Sequence, residues 1–158
     1  MKERLVRLVH GLGVVLMLAV PSLVSADSRP RNATADLPLW RTECGSCHVA
    51  YPPHLLTAPD WKAVMAALDR HYGTDASLAP EGVAAISAYL ERNAGGQRVA
   101  SSAAPPQITT SRWFKREHRE VASATWLRPS IRTPANCGAC HPKADGGDFD
   151  EHSIRIPR

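Results

Sequence analysis

The most restrictive feature of this sequence is the pattern Cys-x-x-Cys-His, which occurs twice, at residues 44–48 and 137–141. This spacing is typical of covalent haem attachment, in which two thiols add across the two vinyl groups of one porphyrin. The histidine that follows directly is then placed to bind the iron from below the ring. Two copies of the pattern therefore predict two c-type haems. The predicted attachment and ligand residues are Cys44, Cys47 and His48 for the first haem and Cys137, Cys140 and His141 for the second.

Paired cysteines also occur in three other kinds of site. One zinc ion could bind all four thiolates, but zinc gives no reason for a histidine directly after each pair. A thioredoxin-like redox site needs one pair only, set in a βαβ pattern that this sequence lacks. Two disulfides would each close a very small loop, where the entropic gain is least. Haem attachment is therefore the prediction, and a zinc-binding structural module is kept as an alternative.

The first 26 residues have the composition of a secretory signal peptide. Lys2, Arg4 and Arg7 precede a mostly apolar run from Leu8 to Val20, and small residues at 24–26 offer a cleavage site. The apolar run is shorter than the ~20 residues that span a bilayer, so a cleaved signal is predicted rather than an anchor. We expect export to the periplasm, because bacteria attach c-type haem on that side of the membrane.

Cleavage after Ala26 would leave 132 residues with a formal charge of +2, since the leader carries three basic residues and one acidic residue. The basic residues are scattered among acidic ones, and no nucleic-acid-binding pattern is present, so nucleic acid is not an expected partner. A chain this short has room for a modest core, to which two porphyrins would add much apolar interior. We therefore expect haem-free protein to be poorly folded.

Apolar residues recur at helical spacing in the first half of the mature chain. A short helix is predicted from about Leu37 into the first motif. A second helix is predicted to begin at Thr57, where Asp60 completes a capping box, and to continue with His71 on its apolar face. Gly73 is placed to end that helix.

The rest of the chain changes in character along its length. A third helix is predicted from Pro80, a favoured first helical position, to the glycine pair at 95–96. Residues 97–106 are rich in alanine and serine, close on two prolines and are predicted to form a linker. Beyond the linker, residues 107–158 hold several prolines and one possible short helix from Trp113 to about Val121. The predicted fold is therefore mainly α, with a largely irregular C-terminal part wrapped on the second haem.

The remaining axial ligands decide the function. A haem with one protein ligand is open to gases and peroxide, whereas a second strong ligand makes a closed electron carrier. Met1 and Met17 lie in the leader, which leaves only Met65 for two irons. Met65 also falls on the packed face of the second predicted helix, where a core role is the simpler interpretation. At least one haem is therefore expected to use histidine or to stay open.

Four histidines remain once His10 leaves with the leader and the two motif histidines are assigned. For the first haem we favour His71, on the apolar face of the second helix, over His54, which is only six residues from His48. For the second haem we favour His118, which follows the aromatic pair at 113–114, over His152 in the polar C-terminal tail. His54 and His152 are kept as alternatives.

The chain resembles known cytochromes in both halves. From Leu37 through the first motif to the helix at 83–90, it resembles a class I cytochrome c domain, except that the usual methionine loop is missing. The whole mature chain resembles the small dihaem cytochrome c family of proteobacteria. The stretches that carry this resemblance are 43–53, 71–78, Trp113-Phe114 with His118, 136–141 and 154–157.

This resemblance implies a division of the chain and a complete ligand set. Between the signal peptide at 1–26 and the linker at 97–106, both predicted from composition, it implies a class I cytochrome c-like helical domain at 27–96. An irregular haem-wrapping domain would follow at 107–158. It also implies histidine on both faces of both irons, which pairs His48 with His71 and His141 with His118.

The sequence thus predicts a periplasmic dihaem electron carrier rather than an enzyme. The resemblance implies that a membrane cytochrome b or another quinol-linked donor supplies electrons. It also implies an oxygen-binding monohaem cytochrome c as an acceptor. The main alternative is a gas- or peroxide-reactive haem protein with one open iron, although no acid–base pair placed for peroxide cleavage is evident.

Overall fold

The computed structural model describes residues 37–158, and every structural statement below concerns that part of the chain. It holds five α-helices joined by 3₁₀ turns and irregular chain, and its only extended pairing consists of two isolated bridges. The predicted mainly α fold is confirmed. The helices are α1 (Pro38–Gly45), α2 (Ala58–Met65), α3 (Pro80–Arg92), α4 (Arg112–Glu117) and α5 (Ser123–Trp126).

The predicted signal peptide at 1–26 lies outside the described residues. The predicted divisions at 97 and 107 stay predictions. No helix within residues 37–158 combines the length and apolar character needed to cross a membrane.

Helix α2 begins where the sequence predicts, but it ends earlier than predicted. The Thr57 hydroxyl accepts from the Asp60 amide at 3.3 Å, and the Asp60 carboxylate accepts from the Thr57 amide at 3.4 Å, which completes the capping box. The expectation that the helix continues to His71 is wrong. It ends at Met65, and a separate 3₁₀ turn, Leu68–Arg70, leads to His71.

The hydrophobic core lies between α2 and α3, with α1 packed against α3. A large apolar side chain that becomes fully buried stabilises the fold by about 1.5–3 kcal/mol, so this cluster is the main source of stability in the first half. The Trp61 indole N–H also donates to the Pro53 carbonyl at 2.6 Å, which ties α2 to the turn before it. The buried cluster consists of Trp40, Leu56, Trp61, Val64, Met65, Ile86, Tyr89 and Leu90.

The chain after α3 returns to the start of α2. The Gly95 amide donates to the Leu56 carbonyl at 2.8 Å, and Gly95 forms a parallel bridge with Thr57. A Cβ atom at Gly95 would lie inside van der Waals contact of the His54 carbonyl oxygen and 2.5 Å from Val99 Cγ2. This close approach requires glycine at position 95.

Residues 97–106 are folded onto their neighbours. Val99 is buried, and the turn that contains it packs against α4. The Ser101 amide donates to the Asp60 carboxylate at 3.1 Å, while the Ser101 hydroxyl accepts from the Gln107 amide at 2.8 Å. The alanine- and serine-rich stretch therefore carries specific contacts to α2 and to the segment that follows.

The C-terminal part is built mostly of turns around a few fixed points. Ser111 is fully buried and caps α4 by accepting from the Phe114 amide at 3.1 Å. The predicted helix from Trp113 to Val121 is shorter in the structure, since α4 ends at Glu117. The chain end packs back on the second motif, because the Arg155 amide donates to the Cys140 carbonyl at 2.9 Å.

Candidate haem sites

The first motif is placed by the end of α1. Cys44 lies on the last turn of that helix, and the chain then turns through Cys47 to His48. Nδ1 of His48 lies 2.7 Å from the Val49 carbonyl oxygen. Because a carbonyl only accepts, Nδ1 carries the hydrogen, and the other ring nitrogen is left as a metal ligand.

His71 faces His48. Their ring centroids are 6.2 Å apart, and the ring planes are within 20° of parallel. Tyr72 and Gly73 directly after His71 have positive φ values of 48° and 91°, so the chain reverses immediately and closes a bridge between His71 and Thr74. Burial, with a smaller effect of His48, lowers the pKa of His71. The ring therefore stays neutral at pH 7, which is the form that binds a metal.

A cavity of about 660 Å³ lies at this site, within the size range of cofactor pockets. Apolar side chains of α2, including Trp61 and Met65, form part of its wall. Four residues of the first site line this cavity: Cys44, Cys47, His48 and His71. Cys137 of the second motif lines it as well. The two motifs are therefore neighbours in space.

Two tyrosines flank the paired rings of the first site. The Tyr51 ring stacks on His48 at 4.6 Å and 18°, and its hydroxyl donates to the Ala135 carbonyl at 2.7 Å. The Tyr72 ring meets His71 edge-on at 4.8 Å, and its hydroxyl donates to the Pro106 carbonyl. Burial, then the proximity of Cys137 and Tyr72, raises the pKa of Tyr51 to about 12. Its hydroxyl therefore remains a hydrogen-bond donor at neutral pH.

The second motif is a single 3₁₀ turn, Cys137–Ala139, which the His141 amide closes by donating to the Cys137 carbonyl at 2.8 Å. Nδ1 of His141 is buried without a hydrogen-bond partner, and the ring lies 5.3 Å from that of Phe149. Burial is the largest influence on the pKa of His141 and lowers it, and His118 adds to the effect. This ring is also kept neutral.

His118 stands at the end of α4 and faces His141. The two ring centroids are 6.2 Å apart, and the planes meet at 76°. Nδ1 of His118 donates to the Phe114 carbonyl at 2.9 Å, one helical turn back, and the Phe114 ring stacks on His118 at 4.0 Å. The Trp126 ring lies 5.8 Å from the His118 ring. Helix α4 thus fixes both the tautomer and the orientation of this ring.

The alternative ligands lie in other surroundings. His152 is exposed, and its ring nitrogen lies 2.8 Å from the Asp150 carboxylate. His54 is an exposed residue of the turn Pro53–Leu55. Met65 is buried in the core and reaches the wall of the first cavity.

The four thiols are unpaired in the protein chain. Burial is the largest cause that raises the pKa of Cys44 and of Cys137, each to about 11. Within residues 37–158 no group of three or more Cys, His, Asp or Glu is gathered in a metal-binding arrangement.

Sequence reasoning missed the ring contacts that Tyr51 makes with His48 and that Phe114 makes with His118. Phe114 is four residues before His118, so helical spacing alone could have placed the two rings together. Phe114 also lines the first cavity, so it touches both sites. No local signal relates Tyr51 to Ala135, because they are 84 residues apart in the chain.

The residues present fit two haems. In each site two imidazoles face each other 6.2 Å apart. Two metal–nitrogen bonds of about 2 Å, together with about 1 Å from each ring centroid to its nitrogen, add up to about 6 Å, so the separation of the centroids matches one metal ion held between two imidazoles. The two cysteines that precede His48 line the same cavity, which matches attachment of a porphyrin at its edge.

Comparison with known proteins agrees with this donor set. Residues 40–149 match the dihaem cytochrome c family. The X-ray structure of a diheme cytochrome type c from Shewanella baltica OS155 is 38% identical, with a TM-score of 0.66, over 75% of this chain and 91% of that chain. A crystal structure of DHC purified from Rhodobacter sphaeroides is 44% identical, with a TM-score of 0.61, over 72% of this chain and 96% of that chain.

A second diheme cytochrome c structure from Rhodobacter sphaeroides is 40% identical, with a TM-score of 0.64, over 73% of this chain and 98% of that chain. A comparison with curated proteins finds no match. The family match spans more than half of the chain and includes both Cys-x-x-Cys-His motifs. The chain therefore belongs to the dihaem cytochrome c family and carries two haem c groups.

Proposed function

We propose that this protein is an electron carrier in which histidine binds both faces of each haem iron. His48 and His71 would hold the first iron, and His141 and His118 the second. The observation that carries this proposal is the repeated spacing: both pairs of rings face each other at 6.2 Å, although they are built from unrelated segments. Iron with two imidazole ligands exchanges single electrons and offers no open position to a substrate.

The side chains around these rings support a fixed ligand set. His48 and His118 each donate Nδ1–H to a backbone carbonyl, which leaves one nitrogen to face the metal. Burial lowers the pKa of His71 and of His141, so at pH 7 no proton occupies the ring nitrogen that would bind the metal. We therefore propose that the chain is not an enzyme and makes no bond to a substrate.

The closeness of the two sites supports electron exchange within one chain. Cys137 of the second motif lines the first cavity. Phe114 lines the same cavity and stacks on His118 of the second site. We infer that an electron that enters at one haem reaches the other across this shared wall.

We further propose that the protein works in the periplasm, between a membrane and a soluble partner. The leader composition at residues 1–26 supports export. By analogy with the family, the donor would be a membrane cytochrome b or another quinol-linked protein, and the acceptor an oxygen-binding monohaem cytochrome c. Contacts with both partners should be transient, as redox encounters usually bury a small area.

Carbon monoxide tests the closed-iron proposal directly. The dithionite-reduced protein should show the same Soret band with and without carbon monoxide, because neither iron has an open position. A pyridine haemochrome assay of the same sample should show two haems per chain. A Soret shift at either haem would contradict the proposal and favour a gas- or peroxide-reactive protein.

A further inference from the structure

The ring of Tyr51 restrains the orientation of the His48 ring. The two rings are stacked, with centroids 4.6 Å apart and planes within 18° of parallel. The hydrogen bond from His48 Nδ1 to the Val49 carbonyl fixes one edge of the imidazole, and Tyr51 covers its face. Rotation of His48 about the bond to its metal would break the stacking, so the plane of His48 follows that of Tyr51.

The hydroxyl of the same tyrosine reaches the second motif. It donates to the Ala135 carbonyl at 2.7 Å, across 84 positions of sequence. That carbonyl also accepts from the Cys137 amide at 3.0 Å. Tyr51 and the first attachment residue of the second haem therefore share one acceptor, and the Cys137 side chain in turn lines the first cavity.

We propose that Tyr51 is a positioning residue that sets the plane of the His48 ring and holds the segment that leads into the second haem motif. The ring and the hydroxyl have separate tasks. The ring orients a ligand of the first haem, and the hydroxyl fixes the distance between the two sites. The first task rests on the proposed ligation by His48 and His71, whereas the second does not.

Two substitutions separate these tasks. Tyr51→Phe keeps the stacked ring and removes the hydroxyl, while Tyr51→Leu removes both. Tyr89→Phe is the matched control, because Tyr89 packs on Trp40 in the core and does not belong to the cavity wall. All three variants would be studied as holoprotein with both haems attached.

Hydrogen exchange of the Cys137 amide tests the role of the Tyr51 hydroxyl. In Tyr51→Phe the Ala135 carbonyl loses its hydrogen bond to the tyrosine hydroxyl, so the segment that holds Ala135 and Cys137 should open more often. Exchange of the Cys137 amide should therefore be roughly fivefold faster. Tyr89→Phe should leave that amide at the wild-type rate. Equal Cys137 exchange rates in Tyr51→Phe and wild type would overturn the role of the hydroxyl.

The EPR spectrum of the ferric protein tests the role of the Tyr51 ring. The signal of a low-spin haem depends on the angle between its two axial rings, since parallel rings split a pair of iron d orbitals that perpendicular rings leave nearly equal. Tyr51→Leu should change the first-haem signal and leave the second, and Tyr51→Phe should change neither. An unaltered first-haem signal in Tyr51→Leu would overturn the role of the ring. A high-spin wild-type signal would contradict the proposed ligation instead, and the exchange result would still stand.

Discussion

The imidazole rings of His118 and His141 meet at 76°, with their centroids 6.2 Å apart. His48 and His71 have the same separation, but their planes are within 20° of parallel. The two sites thus share a spacing and differ in orientation. Local structure accounts for the difference, because α4 fixes His118 through the Phe114 carbonyl, whereas His71 sits in a chain reversal.

This difference predicts two ferric EPR signals. With the proposed histidine ligands, the nearly parallel rings at the first haem should give a signal with well-separated g values. The nearly perpendicular rings at the second haem should give a highly anisotropic signal. Low-temperature EPR of the oxidised protein would show both at equal spin concentration. A single signal that integrates to two spins would contradict a difference in ring orientation between the two sites. Loss of the anisotropic signal in His118→Ala would assign that signal to the second haem.

Removal of one of the proposed distal histidines should open one iron. His71→Ala should let carbon monoxide bind at the first haem only, and His118→Ala at the second only, so each variant should show about half of a full Soret shift. The cause is the loss of the one imidazole that faces the motif histidine in each site.

His54→Ala and His152→Ala serve as controls for those variants. His152 is exposed and bonded to Asp150, and His54 belongs to a turn beside Gly95. Both controls should remain insensitive to carbon monoxide. If one of them binds the gas and its counterpart does not, the ligand assignment is wrong for that haem.

Much of this arrangement could be predicted from sequence, because its signals are local. The two motifs, the capping box at Thr57 and the start of α3 at Pro80 each depend on residues within a few positions of one another. The sequence pattern favours His71 because it places this residue on the face of a continuous helix. The structure has no such continuous helix, and the pairing with His48 arises differently.

The break after Met65 could not be predicted from local propensity. Ala66 and Ala67 are strong helix formers, yet Ala67 leaves the helix with φ −133° and ψ 34°. The Leu68 carbonyl then accepts from the Ala76 amide at 2.9 Å, a contact within the reversal that brings His71 toward the cavity. The hydrogen bonding of the chain reversal that follows therefore overrides the helical preference of this segment.

The exposed pair Asp150 and His152 predicts a local pH effect. Hydrogen bonds from the His152 amide and ring lower the pKa of Asp150, and the same carboxylate raises the pKa of His152. Since the pKa of His152 is raised by folding, its stabilising contact is fully present below about pH 6.5 and is lost as the pH rises through the folded value.

NMR titration of the holoprotein measures this effect. The pKa of His152 should fall toward the ordinary histidine value in Asp150→Asn, which keeps the size of the side chain and removes its charge. Because both groups are exposed, the melting temperature should change little. An unchanged His152 pKa in Asp150→Asn would show that the carboxylate is not its partner in solution.

Loss of both haems should abolish cooperative folding. The first cavity alone measures about 660 Å³ and is walled by core residues of α2, so without its porphyrin the core has a void in place of packed contacts. A variant with serine at Cys44, Cys47, Cys137 and Cys140 would show this in thermal unfolding followed by circular dichroism. A sharp transition near the wild-type temperature would mean that the helices pack without the cofactor.

The glycine pair after α3 predicts a sharp contrast in stability. Gly95→Ala would force a Cβ against the His54 carbonyl and to 2.5 Å from Val99 Cγ2, where the bridge to Thr57 leaves no room to shift. Such overpacking costs about 1–3 kcal/mol, so the melting temperature should fall by several degrees.

Gly96→Ala is the matched control, because a Cβ there meets nothing within 4 Å and its backbone is extended. That variant should be neutral or slightly more stable, since alanine restricts the unfolded chain. Equal melting temperatures for the two variants would show that the chain after α3 can move away from the Pro53–Leu55 turn without cost.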